Sequence, residues 1–69
     1  MKSKVFKKIR VVGCSAESYE KAIETAVKKA GKTLKGLSWF EVAELRGAVL
    51  NGKVCEWQAT VDLAFKLEE

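Results

Sequence analysis

From Cys55 to Leu67 every second residue is apolar, and this period of two is the strongest constraint the sequence places on the fold. Cys55, Trp57, Ala59, Val61, Leu63, Phe65 and Leu67 share one parity; Glu56, Gln58, Thr60, Asp62 and Lys66 share the other. Side chains alternate across a strand, so this run reads as a long strand with one buried and one polar face. The chain contains no proline to interrupt it. Just upstream, Asn51-Gly52 marks a hairpin, because both residues tolerate positive φ. The stretch from Leu37 onward is then the other arm.

Before the hairpin the period changes. Tyr19, Ala22, Ile23, Ala26, Val27, Ala30 and Leu34 recur at steps of three and four, which builds one apolar stripe on a helix. Ser15 or Ser18 can cap its start, and Glu17–Lys21 and Glu24–Lys28 have the favourable i,i+4 order. Gly31 can end the regular helix early; otherwise Gly36 is the stop. Residues 4–13 read as a first strand, with Val5, Ile9 and Val11 on one face and Phe6, Lys8 and Arg10 on the other, and Gly13 permits a bend. The order is β-α-β-β: an α+β chain whose single amphipathic helix packs on one face of a three-stranded antiparallel sheet.

A chain of 69 residues is one domain, 1–69, and a marginal one. A core this small rarely supplies more than about 3–5 kcal/mol without disulfides, metal or association. Two cysteines, no signal peptide and no histidine point to reduced thiols in the cytoplasm and to no metal site. No stretch approaches the ~20 apolar residues of a membrane span. Association of several copies is the remaining stabiliser. The missing histidine also removes Ser–His and Cys–His nucleophiles, and the carboxylates and lysines form no catalytic spacing, so no enzyme is expected. Net charge is +4, and Lys2, Lys4, Lys7, Lys8 and Arg10 crowd the start. Two readings of that charge stay open: a solvated face suited to anionic small ligands, and a basic single-stranded nucleic-acid-binding module.

In "LSWFEVAELRG", residues 37–47, the alternation breaks. Phe40 and Val42 share a parity that Leu45 leaves. A β-bulge near Ala43–Glu44 absorbs one residue and returns Leu45 and Val49 to the helix side. Trp39, Glu41, Glu44 and Arg46 then share the polar face. With a three-residue turn over Leu50–Gly52, Arg46 faces Glu56. The competing register has a two-residue turn and no bulge; it aims Arg46 at the helix side and desolvates an unpaired guanidinium. In either register Trp39 and Gln58 lie on the non-helix face, with Lys66. An aromatic plate, a neutral amide and cations suit a planar anionic ligand. An exposed Trp in a small oligomer is also a common interface residue.

The stretches "VFKKIRVVGCSAESYEKAI", "WFEVAELRG" and "VCEWQATVDLAFKLEE" resemble the dodecins, small flavin-binding proteins of bacteria and archaea, over nearly the whole chain. The resemblance implies a hollow homododecamer that holds flavins as stacked pairs between tryptophans of neighbouring subunits. It implies that Trp39 stacks on the flavin, that Gln58 bonds the isoalloxazine edge and that Arg46 lies at the flavin site. Lys66 stands where some bacterial relatives have Arg, and is expected at a phosphate of FMN or of coenzyme A. FMN is the expected cofactor, with riboflavin as a close substitute. The implied role is flavin storage with quenching of its photochemistry. Trp57 is read as a core aromatic under the helix, Cys14 as a small residue at the strand–helix bend and not a nucleophile, and Cys55 as packing or solvent-exposed.

Overall fold

The computed structural model describes residues 3–67. Lys2 of the basic run and the last two residues of the matched C-terminal stretch lie outside the described residues. The elements are β1 (Phe6–Ser15), α1 (Tyr19–Gly31), β2 (Leu37–Leu50) and β3 (Lys53–Lys66). The sheet order is β1-β3-β2, and both hydrogen-bonded pairs are antiparallel. The alternating run is therefore the central strand, with β1 and β2 on its two edges. The β-α-β-β order and the one-helix, three-strand architecture agree with the sequence reading.

The helix begins where Ser18, in extended backbone, accepts a hydrogen bond from the Lys21 amide at 3.0 Å. It ends at Gly31, and Leu34 lies beyond it. Glu17 precedes the cap, so the expected Glu17–Lys21 pair has no helix to stand on; Lys21 instead meets Glu24 at 3.6 Å. Gly36, with φ of 76°, turns the chain into β2.

The core is made of small side chains. Ala22 and Ala26 of α1 meet Ala59, Val61 and Leu63 of β3, with Ile9, Val11, Ile23, Val27 and Leu37 packed around them. Small residues let the helix backbone come down onto β1. A Cβ added at Gly13 would lie 2.1 Å from the Ala22 carbonyl oxygen. Gly13 therefore serves close approach inside β1, not the bend expected of it, and the strand runs two residues past it.

The helix lies over β1 and β3 and barely reaches β2. Phe40, Val42 and Leu45 take the helix-side face as expected, yet remain 46 to 48% exposed. Periodicity names the face; the width of one helix decides how much of it is covered. The subunit is long and thin, 56 × 20 × 13 Å, and the hairpin end carries exposed Val49, Leu50 and Val54.

Three bulges set which side chains face which way. Between Val42 and Glu44 the register shifts and Ala43 is the extra residue, as the broken alternation predicts. A second shift leaves Ser38 extra, which sends Leu37 to the core and Trp39 to the opposite face. The third falls between Ala48 and Val49 and leaves Cys55 extra on β3. The turn itself has two residues, Asn51 and Gly52, with φ of 52° and 76°. The expected three-residue turn is thus replaced by a two-residue turn plus a bulge. Arg46 consequently faces Gln58, not Glu56.

Candidate functional site

The face turned away from the helix reads as cross-strand rows. Lys8, Ala64 and Trp39 form one; Arg10, Asp62 and Glu41 the next; Val12, Thr60 and Glu44 the third; Cys14, Gln58 and Arg46 the fourth. Phe6 and Lys66 pair beyond the first. All four candidate residues, Trp39, Arg46, Gln58 and Lys66, lie on this face.

Trp39 is 43% exposed and is held from several sides. Its ring packs against Phe6, with centroids 4.8 Å apart and planes tilted by 55°. Its indole Nε1 donates to Glu41 Oε2 at 2.9 Å, and Lys8 Nζ donates to the same carboxylate at 3.1 Å. Ala64, between Lys8 and Trp39 in the ladder, is fully buried, although the face is otherwise open. The aromatic pair is what a small residue there allows.

At the other end of the face, Arg46 Nε donates to Gln58 Oε1 at 2.6 Å, and Gln58 Nε2 donates to Glu56 Oε1 at 2.7 Å. Arg46 thus reaches Glu56 only through the amide. The relay orients Gln58 and leaves one amide hydrogen and one oxygen lone pair for a ligand edge.

The structure does not bring these two groups together within one subunit. Trp39 stands opposite Ala64 and Arg46 opposite Gln58, six positions along β3. At ~3.3 Å per residue this is about 20 Å. Lys66, two positions past Ala64 and exposed, belongs to the Trp39 end. The cleft that Trp39 borders is only about 170 Å³, below the roughly 300 Å³ at which small-molecule pockets begin. Trp57 lies on the helix side, edge-on to Tyr19 at 4.9 Å, as its packing role requires. Cys14 and Cys55 are exposed free thiols, and Cys14 lies within β1, one residue before its end.

The sequence reading missed Phe6, Lys8 and Glu41 as neighbours of Trp39. Part of the signal was present, since Trp39 and Glu41 are two apart on one face; that Lys8 shares the Trp39 row follows only from the strand order and register.

Between the two ends, Arg10 grips Asp62 with two bonds, Nε–Oδ1 at 2.7 Å and Nη2–Oδ2 at 3.0 Å. This hydrogen bonding holds the Asp62 carboxyl below its usual range. Glu41 is held low as well, first by the Trp39 N–H and then by Lys8. A carboxyl lowered in the folded state contributes stability above its unfolded pKa and loses it as pH falls through the folded value. Urea midpoints should therefore be flat through neutral pH and fall below the ordinary carboxylate range. Asp62→Asn should make that acid fall shallower; an unchanged acid limb would show that Asp62 is not linked to folding.

Fold and face together define a class: a small β-α-β-β subunit displaying an aromatic plate and a polarised amide on an open sheet. A family model described as Dodecin matches residues 5–68. The dodecin of Thermus thermophilus is 47% identical over 66 residues, 96% of each chain. The structure of dodecin from Streptomyces coelicolor superposes with a TM-score of 0.95 at 39% identity, covering 100% of this chain and 99% of that one. Dodecin from Streptomyces davaonensis gives 0.93 at 35% identity, over 99% and 100%. The chain belongs to the dodecin family. Membership carries a flavin-binding role in general terms, and the family is one of small binding proteins. Among the described residues, no helix is long and apolar enough to cross a membrane.

Proposed function

We propose that this protein stores flavin, FMN or riboflavin, as stacked pairs between the Trp39 rings of neighbouring subunits in a homododecamer, and quenches the excited flavin. The observation that carries this reading is the separation of Trp39 from Arg46–Gln58 by about 20 Å on one face. A single isoalloxazine cannot touch both ends of one subunit, so a site using both draws them from two copies. The half-exposed row of Phe40, Val42 and Leu45 offers apolar surface for such an assembly. In the composite site Trp39 stacks on the ring and Gln58 bonds its polar edge. Arg46 polarises Gln58 and adds positive charge, and Lys66 meets a phosphate of FMN or coenzyme A. Excited flavin takes an electron from the indole and returns it, so no substrate is consumed and no enzymatic role is needed. The proposed setting is the cytoplasm, where exposed thiols such as Cys14 and Cys55 stay reduced.

The basic nucleic-acid reading loses its footing on this face. Lys8 is paired with Glu41 and Arg10 with Asp62, so the sheet presents no continuous basic track among the described residues.

Native mass spectrometry of the protein as purified tests the proposal, because it reports subunit number and ligand mass together. The expected result is twelve subunits carrying flavin, or taking up added FMN. A monomer that binds no flavin would sink it.

A further inference from the structure

The Trp39 ring is arranged before any ligand is present. Three contacts restrain it on an otherwise open face: Phe6 against the ring, fully buried Ala64 as its ladder partner, and the 2.9 Å hydrogen bond from Nε1 to Glu41. Only the last is directional enough to select one orientation of the indole about its Cβ–Cγ bond. An indole has a single N–H donor, and a donor bound to a charged acceptor has a strong angular preference. The acceptor is itself anchored, since Lys8 Nζ on β1 reaches the Glu41 carboxylate across β3 at 3.1 Å. Residues of both edge strands thus converge on one ring.

We propose that Glu41, braced by Lys8, is a positioning residue that fixes the plane of Trp39 so that the indole is ordered before a planar ligand arrives. For the flavin this rests on the reading above. Glu41 acts through Trp39: it removes a rotational freedom that binding would otherwise have to remove, and so raises affinity without adding a contact. Glutamate suits this place better than a neutral acceptor. Its carboxylate takes the indole N–H on Oε2 while Lys8 Nζ sits 3.1 Å from both of its oxygens, and these two partners outweigh the cost of desolvating its charge on so open a face.

The test separates ring order from ligand binding. In a Trp57→Phe background, which leaves Trp39 as the sole indole, time-resolved fluorescence anisotropy reads the motion of that ring in ligand-free protein. Glu41→Ala should add a fast depolarisation absent from the parent. It should also weaken FMN binding roughly three- to tenfold, the size of one hydrogen bond or one ordered side chain. The quenching of FMN at saturation should stay intact, because the indole is still there to stack. Glu41→Gln keeps an acceptor of the same length and should restore most of both properties. Lys8→Met should fall between. Unchanged anisotropy in Glu41→Ala overturns the proposal, and so does a Glu41→Gln protein as loose as the alanine variant. If the parent protein binds no FMN, the flavin reading fails, while the anisotropy comparison still decides whether Glu41 orders Trp39. Thermal unfolding of each variant confirms that folded protein is compared.

Discussion

Replacing Trp39 with Ala should abolish the quenching of FMN fluorescence and weaken flavin binding by about 1–3 kcal/mol, the usual worth of one stacking aromatic. Trp39 is 43% exposed and lies at the edge of the molecule, so its removal should leave the fold intact. The loss is then a loss of the plate. Trp39→Phe divides the effect further. A phenyl ring still stacks, so flavin should bind with modestly reduced affinity. Benzene is much harder to oxidise than indole, so the bound flavin should recover part of its emission. Fluorescence titration and lifetime measurements on the two variants read binding and quenching separately. If Trp39→Ala quenches FMN as the parent does, the indole is not the electron donor.

The second large effect concerns the fold. Gly13→Ala should destabilise the subunit by about 3 kcal/mol. The added methyl would meet the Ala22 carbonyl oxygen at 2.1 Å and the Ala26 methyl at 2.9 Å. A backbone carbonyl cannot step aside, so the helix must lift from β1 and open the alanine-rich seam beneath it. For a core that supplies only about 3–5 kcal/mol, that is most of its stability. Gly31→Ala is the matched control. Nothing lies within 4 Å of the position, and it closes the helix without positive φ, so alanine there should stabilise by about 0.5–1 kcal/mol. Urea midpoints at fixed protein concentration compare the two. A Gly13→Ala protein as stable as its parent would mean that the helix does not rest on β1 at that point.

The element order was legible because each period is long and uninterrupted. The Ala43 bulge was legible too: it keeps Leu45 apolar-side-in and Arg46 in water, and so brings Arg46 onto the face that Trp39, Gln58 and Lys66 occupy in either register. The Ser38 and Cys55 bulges were not. Cys55 is small enough to read as either face, and a two-residue turn followed by one extra residue leaves the same parity beyond it as a three-residue turn. The consequence was a wrong partner for Arg46, since parity survives a two-residue slip and pairing does not. The half-bare state of Phe40, Val42 and Leu45 was equally hidden. An apolar stripe on a helix says that it packs, not which two of three strands it sits on. The distance between Trp39 and Gln58 depends on the register, so the split of the candidate site into two ends emerged only from the structure.

The bulge at Ala43 makes the facing of β2 independent of the residue that forms it. Val42 pairs with Val61 and Glu44 with Thr60, so the stretches on either side of Ala43 are already in step with β3. Removing Ala43 would close the ladder into a regular strand, with Phe40, Val42 and Leu45 still toward the helix and Trp39, Glu41, Glu44 and Arg46 still away from it. What the deletion would take away is the local bend and extra twist that a bulge gives its strand. The surplus residue thus acts as a joint in the edge of the sheet, setting the angle between its Trp39 end and its Arg46 end.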